Sequence, residues 1–235
     1  MRKILFIYLC LLFLTPLFAQ NRGASGKKTS IKEIFLMLPD DALDNRLPQK
    51  ERKRMLTTIG QRPEFKEENE DSNYTYIEVC DERNGYMSVF YYYPEGYKYE
   101  ICYWNLKDGK KLVAVNQYAG FGDVTFYLYE AGKLRLAPSY APETKKVQVE
   151  DFFDTSLLNK KEKELLTELF NKRVVFEFSL PRRGTTIEMH LGSIPFDMEY
   201  ETMFLDAGFE DKLQYKHVLF EWVNQTWKKK VKNGI

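Results

Sequence analysis

Two histidines, His190 and His217, and a scatter of carboxylates are the side chains with the most reactive chemistry to offer. Imidazoles that meet in space can bind a metal, and one beside a hydroxyl can act as its base. The spacing supplies no His-x-x-x-His, no Glu-x-x-His and no Cys-x-x-Cys. Each histidine falls inside a run that reads as a strand, where one solvated ring nitrogen is the plainer expectation. Asp81, Glu82, Asp108 and Asp123 stand near turns, and two such acids at the right separation would serve a glycosidase. A chain with 34 acidic residues offers many such pairs by chance. Gly-x-Ser-x-Gly elbows, phosphate loops and dinucleotide fingerprints do not occur. The reading therefore assigns no catalytic residue, no cofactor and no metal.

The one suggestive excess is aromatic: 16 Tyr, 17 Phe and 3 Trp, densest between Tyr91 and Trp104. Exposed on a sheet, Tyr and Trp stack on sugar rings or anchor a protein interface, because they join apolar area to a polar tip. Within a core, the same residues make cross-strand pairs. Tyr91 and Trp104 are the candidate ligand contacts if such a surface exists.

The elements that must position these groups begin with a β-meander over 74–138. Aromatic and β-branched runs at 74–80, 86–93, 97–104, 111–118, 123–129 and 133–136 fit a pleated, half-buried surface. Turn residues separate them, among them Asn84-Gly85, Asp108-Gly109 and Ala131-Gly132. Loops this short force antiparallel pairing, since a parallel crossover needs a dozen or more residues. The second run is apolar or aromatic on both faces apart from Ser88, so it should lie centrally and be covered on both sides. In the third, Tyr97, Tyr99, Ile101 and Tyr103 form a core face. Lys98, Glu100, Cys102 and Trp104 read as a wetter one.

Two short helices precede the meander. Ser30 to Glu33 is a capping box, followed by Ile31, Ile34, Phe35 and Leu38 at helical spacing and a stop at Pro39. Pro48 opens the second, with Met55, Leu56 and Ile59 inward and Gly60 at its end. Lys50, Arg52, Lys53 and Arg54 read as a solvated face. Glu64 to Asn73 is an acidic stretch that lacks the pattern of a calcium loop and reads as a linker. After the meander, Asn159 and Glu162 cap a helix near 160–171 with Leu165, Leu166, Leu169 and Phe170 as its stripe. Hairpins follow at 174–191 and 216–229, and 194–208 is left unassigned. A loose repeat links them to the meander: an apolar strand ends in an aromatic, turns, and resumes with Lys beside an apolar residue.

Arg2 and Lys3 before an apolar run to Phe18, then Leu17-Phe-Ala19, form a signal peptide over 1–19. A polar tether at 20–29 and a single β-rich domain at 30–232 complete the expected organisation. The apolar run is too short for a comfortable membrane span, and no later one reaches the roughly 18 residues required. Cys10 lies too early for a lipobox. Without residues 1–19 the chain carries 33 Lys+Arg against 34 Asp+Glu, which gives no electrostatic case for nucleic acid. Cys80 and Cys102 would sit two strands apart, about 9–10 Å, beyond the roughly 7 Å a disulfide tolerates. Two unpaired thiols are expected.

The Phe18-Ala-Gln20 ending and the Ile34-Phe-Leu-Met-Leu-Pro-Asp40 opening resemble small secreted Bacteroidales-type proteins of families of unknown function. That resemblance covers about a tenth of the chain and implies an envelope location, without carrying over any catalytic residue. The expectation is an exported α+β protein, predominantly antiparallel β-meander in one or two sheets of hairpins, periplasmic or extracellular. Its expected role is a non-enzymatic binding module for an envelope protein or glycan. A carboxylate-dependent hydrolase acting on glycan or peptide is the alternative.

Overall fold

A computed structural model describes residues 29–61, 74–92, 97–118, 124–173, 176–191 and 214–234. The expected signal peptide, nearly all of the tether, the acidic linker, Asp123 and the unassigned 194–208 stretch lie outside them. Six strands follow one another as a meander: β1 (Tyr74–Asp81), β2 (Tyr86–Tyr92), β3 (Tyr97–Asn105), β4 (Lys111–Tyr118), β5 (Thr125–Glu130) and β6 (Lys133–Leu136). Each pairs antiparallel with the next, in chain order, as the short turns require. The two-residue β7 (Phe153–Asp154) then leads to a second antiparallel sheet. It comprises β8 (Phe176–Ser179), β9 (Thr186–Leu191), β10 (Gln214–Val223) and β11 (Thr226–Asn233), in the order β11-β10-β9-β8, with β7 on β10. The fold is therefore α+β with antiparallel sheets.

Sheet one is buried on both faces. Against one lie α1 (Ile31–Met37), a 3-10 turn at Asp40–Leu43 and α2 (Gln49–Thr57). Ile31, Ile34, Phe35, Leu43 and Met55 pack there on Val89, Tyr99, Ile101 and Val113. The capping box forms as the spacing predicts, with the Glu33 amide donating to Ser30 Oγ at 3.2 Å and the Ser30 amide to Glu33 Oε2 at 3.0 Å. The opposite face meets sheet two, α3 (Val149–Phe152) and α4 (Lys160–Arg173). Its core joins Cys102, Trp104, Leu112 and Phe126 to Phe152, Phe170, Ile187 and Phe220.

This second core corrects the wetter-face reading of β3. Glu100, Cys102 and Trp104 are buried, and of that face's residues Lys98 keeps more than a third of its side chain in solvent. The alternation was right; the covering layer arrives from residues beyond 150. A second correction concerns Arg52, expected on a solvated face but 1% exposed. Its Nη1 donates to the carbonyls of Phe35 at 2.7 Å and Leu38 at 2.6 Å, and its Nη2 to Asp40 at 2.5 Å. The guanidinium fork satisfies the orphan carbonyls at the C-terminal end of α1.

The β1–β2 turn closes on Gly85 at φ +67°, with the Tyr103 ring directly over it. A Cβ there would stand 2.6 Å from the ring. Gly85→Ala is expected to cost about 2–4 kcal/mol, from left-handed strain plus overpacking. The check is the urea midpoint. A shift equivalent to under about 0.5 kcal/mol would mean that Tyr103 swings aside freely and that the turn relaxes out of the left-handed region as well.

The same end of the sheet is pinned to sheet two. Asp81 accepts from Arg182 Nε at 3.0 Å, a residue in the β8–β9 turn, and from the Asn84 side chain at 2.9 Å. Hydrogen bonds from Asn84 and then Arg182 hold the Asp81 carboxyl down at about 2. A depressed acid contributes stability above its unfolded pKa of about 3.9, and the contribution disappears as pH falls through the folded value. The stability difference between the protein and Asp81→Asn should thus be constant above about pH 5 and close between about pH 4 and pH 2. A difference that is flat across that window would remove Asp81 from the acid response.

Cys80 and Cys102 are free thiols, as the strand count implies. They also face opposite cores, Cys80 toward the helical layer and Cys102 toward sheet two. Burial pushes both thiols up, Cys102 by far the more, which argues against a reactive thiolate.

Candidate functional site

Trp104 is 5% exposed and Tyr91 8% exposed, so neither ring offers a stacking face. Tyr91 packs into the helical core, with the Arg46 guanidinium 5.7 Å from its ring centre. Trp104 marks something more useful. The three tryptophans of the chain stand together, with centroid separations of 5.3 Å for Trp104–Trp227, 6.4 Å for Trp104–Trp222 and 4.7 Å for Trp222–Trp227. Trp104 is the floor, while Trp222 and Trp227 are only half-buried.

The register explains the gathering. Trp222 and Trp227 are cross-strand partners at the tip of the β10–β11 hairpin, and both turn inward with Phe220 and Val218. Tyr140, from the 3-10 turn at Pro138–Tyr140, closes the side at 6.3 Å from Trp222. Its carbonyl accepts from Trp227 Nε1 at 2.6 Å, fixing the indole in place. Together these elements bound a groove of about 520 Å³. That size and an aromatic lining with a few polar groups suit a small-molecule or oligomer site.

Asn224 and Gln225 make the hairpin tip, both in the left-handed region at φ +52° and +64°. Two such residues match a type I′ turn, whose second position favours glycine. Gln225 occupies it instead, and it lines the groove. The charged groups there are already engaged: Glu143 pairs with Lys146, and Lys229 Nζ lies 2.5 Å from Asp151.

The other candidates are dispersed. His190 and His217 do come near one another on the outer face of sheet two, through Glu188. His217 Nδ1 is 2.6 Å from Glu188 Oε1, His190 Nδ1 is 3.9 Å from it, and His190 Nε2 is 3.2 Å from Ser179 Oγ. The Glu188–His190 separation is too long for a hydrogen bond, so no Ser-His-Glu relay is assembled. Among the described residues no group of His, Cys, Asp and Glu is arranged to hold a metal. Asp81, Glu82 and Asp108 each lie on a cation, Arg182, Lys32 and Lys110 respectively. Asp81 and Asp108 are both held below the usual carboxylate range, first by hydrogen bonds, the opposite of what a general acid needs.

Sequence reasoning missed Trp222, Trp227, Tyr140 and Gln225 as a group. The available signal was the repeat that sets Trp222 and Trp227 astride one short turn.

The chain is thus a two-sheet antiparallel protein with a helical layer on one face and an aromatic groove at a hairpin tip. Among the described residues no helix is long and apolar enough to cross a membrane. No family model matches the chain, and no curated protein matches it. Among solved structures it is similar to a domain of an uncharacterized protein from Porphyromonas gingivalis W83, a Bacteroidales organism. The TM-score is 0.53 at 10% identity, covering 85% of this chain and 97% of that one. At that identity the likeness concerns the fold.

Proposed function

We propose that the protein is a secreted, non-enzymatic binding module of a Bacteroidales-type cell envelope, periplasmic or extracellular, whose ligand is a glycan or envelope protein. The observation that carries this reading is the groove: two half-buried indoles and a tyrosine, locked over a buried third indole. Rings held this way keep apolar faces available at little entropic cost on binding. The signal-peptide pattern at 1–19 supports export.

The test is capture from a Bacteroidales envelope extract on the immobilised protein, with recovered proteins and glycans identified together. A saturable partner should appear, and Trp222→Ala should lower its capture at least about tenfold, as an aromatic hot spot does. The far-UV circular dichroism should be unchanged. Equal capture by a folded Trp222→Ala would take the groove out of the site.

A further inference from the structure

The chemistry of the groove narrows the ligand class. Its ring faces come from Tyr140, Trp222 and Trp227, and Trp227 Nε1 is spent on the Tyr140 carbonyl. Its charged linings are paired, Glu143 with Lys146 and Lys229 with Asp151, so a charged ligand would compete with an existing partner at each. What is left is uncharged. The Gln225 amide has no hydrogen-bond partner among the described residues, and the Ser139 hydroxyl has none either. An amide carries both donors and an acceptor, which suits the paired hydroxyls of a sugar.

An added strand fits poorly here. Lys228, Lys230 and Lys232 project from the outer face of the edge strand β11, and Lys229 points inward, the pattern that discourages pairing along an edge. Gln225 adds to this, being the left-handed turn residue that also lines the groove. A residue held in the left-handed region where glycine is favoured costs local stability, and such positions cluster at ligand clamps.

We propose that the groove binds an uncharged glycan, with a sugar ring laid against Trp222 and Tyr140 and its hydroxyls read by the Gln225 side chain. This rests on the groove being the binding site. Because all three tryptophans belong to this cluster, intrinsic tryptophan fluorescence reports on it alone.

The experiment titrates the full-length protein with uncharged hexose and N-acetylhexosamine oligosaccharides, and in parallel with polygalacturonate fragments. At least one uncharged oligosaccharide should give a saturable change below about 10 mM, while polygalacturonate gives none. Gln225→Gly suits the turn and should fold, yet it removes the amide; it should weaken that binding about tenfold. Saturation by polygalacturonate only, no saturation by any uncharged oligosaccharide, or unaltered affinity in Gln225→Gly would overturn the inference. The envelope-extract capture separates the two levels. A Trp222-dependent protein partner without oligosaccharide binding leaves the binding module standing and removes the glycan, whereas loss of both removes both.

Discussion

Glu100→Ala is expected to lower the unfolding free energy by about 3–5 kcal/mol, as much as truncating a buried aromatic of the sheet–sheet interface. Glu100 lies on the β3 face that meets sheet two and is 9% exposed. One carboxylate oxygen accepts from Tyr86 Oη at 2.8 Å. The other accepts from the Leu180 amide at 2.9 Å and from Asn116 Nδ2 at 3.3 Å. Asn116 Nδ2 donates also to the Phe178 carbonyl at 2.6 Å. Glu100 and Asn116 thus bind sheet one to the backbone that leaves β8, across an otherwise apolar layer. Burial, with Glu100 beside it, pushes the Tyr86 phenol far above its usual range, so it remains a donor. Alanine would strand the Tyr86 and Leu180 donors and open a cavity. Glutamine should cost about half as much, because one of its two ends is a donor facing donors. Chemical denaturation decides: a Glu100→Ala loss under about 1 kcal/mol would mean that water replaces the carboxylate without penalty.

Arg52→Met is the second large expected loss, about 2–4 kcal/mol. Methionine keeps an apolar chain in the buried site but loses the guanidinium that lies 5.9 Å from the Phe35 ring centre, and it strands the Phe35 and Leu38 carbonyls. Asp40, half in solvent, would rehydrate, so the cost comes from the carbonyls and not from an abandoned charge. Arg52→Lys should recover only part of it, since an ammonium cannot bridge two carbonyls and a carboxylate as the planar fork does. Methionine and lysine variants with midpoints equal to that of the parent protein would count against this account.

The meander was legible because alternation and turn chemistry are local. Gly85, Gly109 and Gly132 all adopt positive φ at the turns where the sequence demands it. The capping boxes at Ser30 and Asn159 both form, for the same reason. What alternation cannot state is which element covers a face. Lys98 and Glu100 are neighbours on one face of β3, yet one is solvated and the other is enclosed by Phe178 and Leu180, some 80 residues away. Arg52 misled for a similar reason. Flanked by Lys50, Lys53 and Arg54 it looked like one charge of a solvated run, and only the position of α1's last carbonyls sets it apart. The groove needed three distant segments: Trp104 in the meander, Tyr140 after it, and Trp222 with Trp227 near the chain end. Tyr91 and Trp104 lay in the densest aromatic stretch, and density there reflects two cores meeting one sheet.

The placement of the two thiols has a kinetic consequence. Cys80 borders the helix-covered core and Cys102 the core between the sheets. An alkylating reagent reaches the buried Cys102 sulfur only when the layer above it opens, whereas the partly exposed Cys80 can be reached without such an opening. The molecule therefore carries a built-in clock for the core between the sheets: the Cys102 labelling rate under native conditions would time the parting of the second sheet, with Cys80 as the accessible reference.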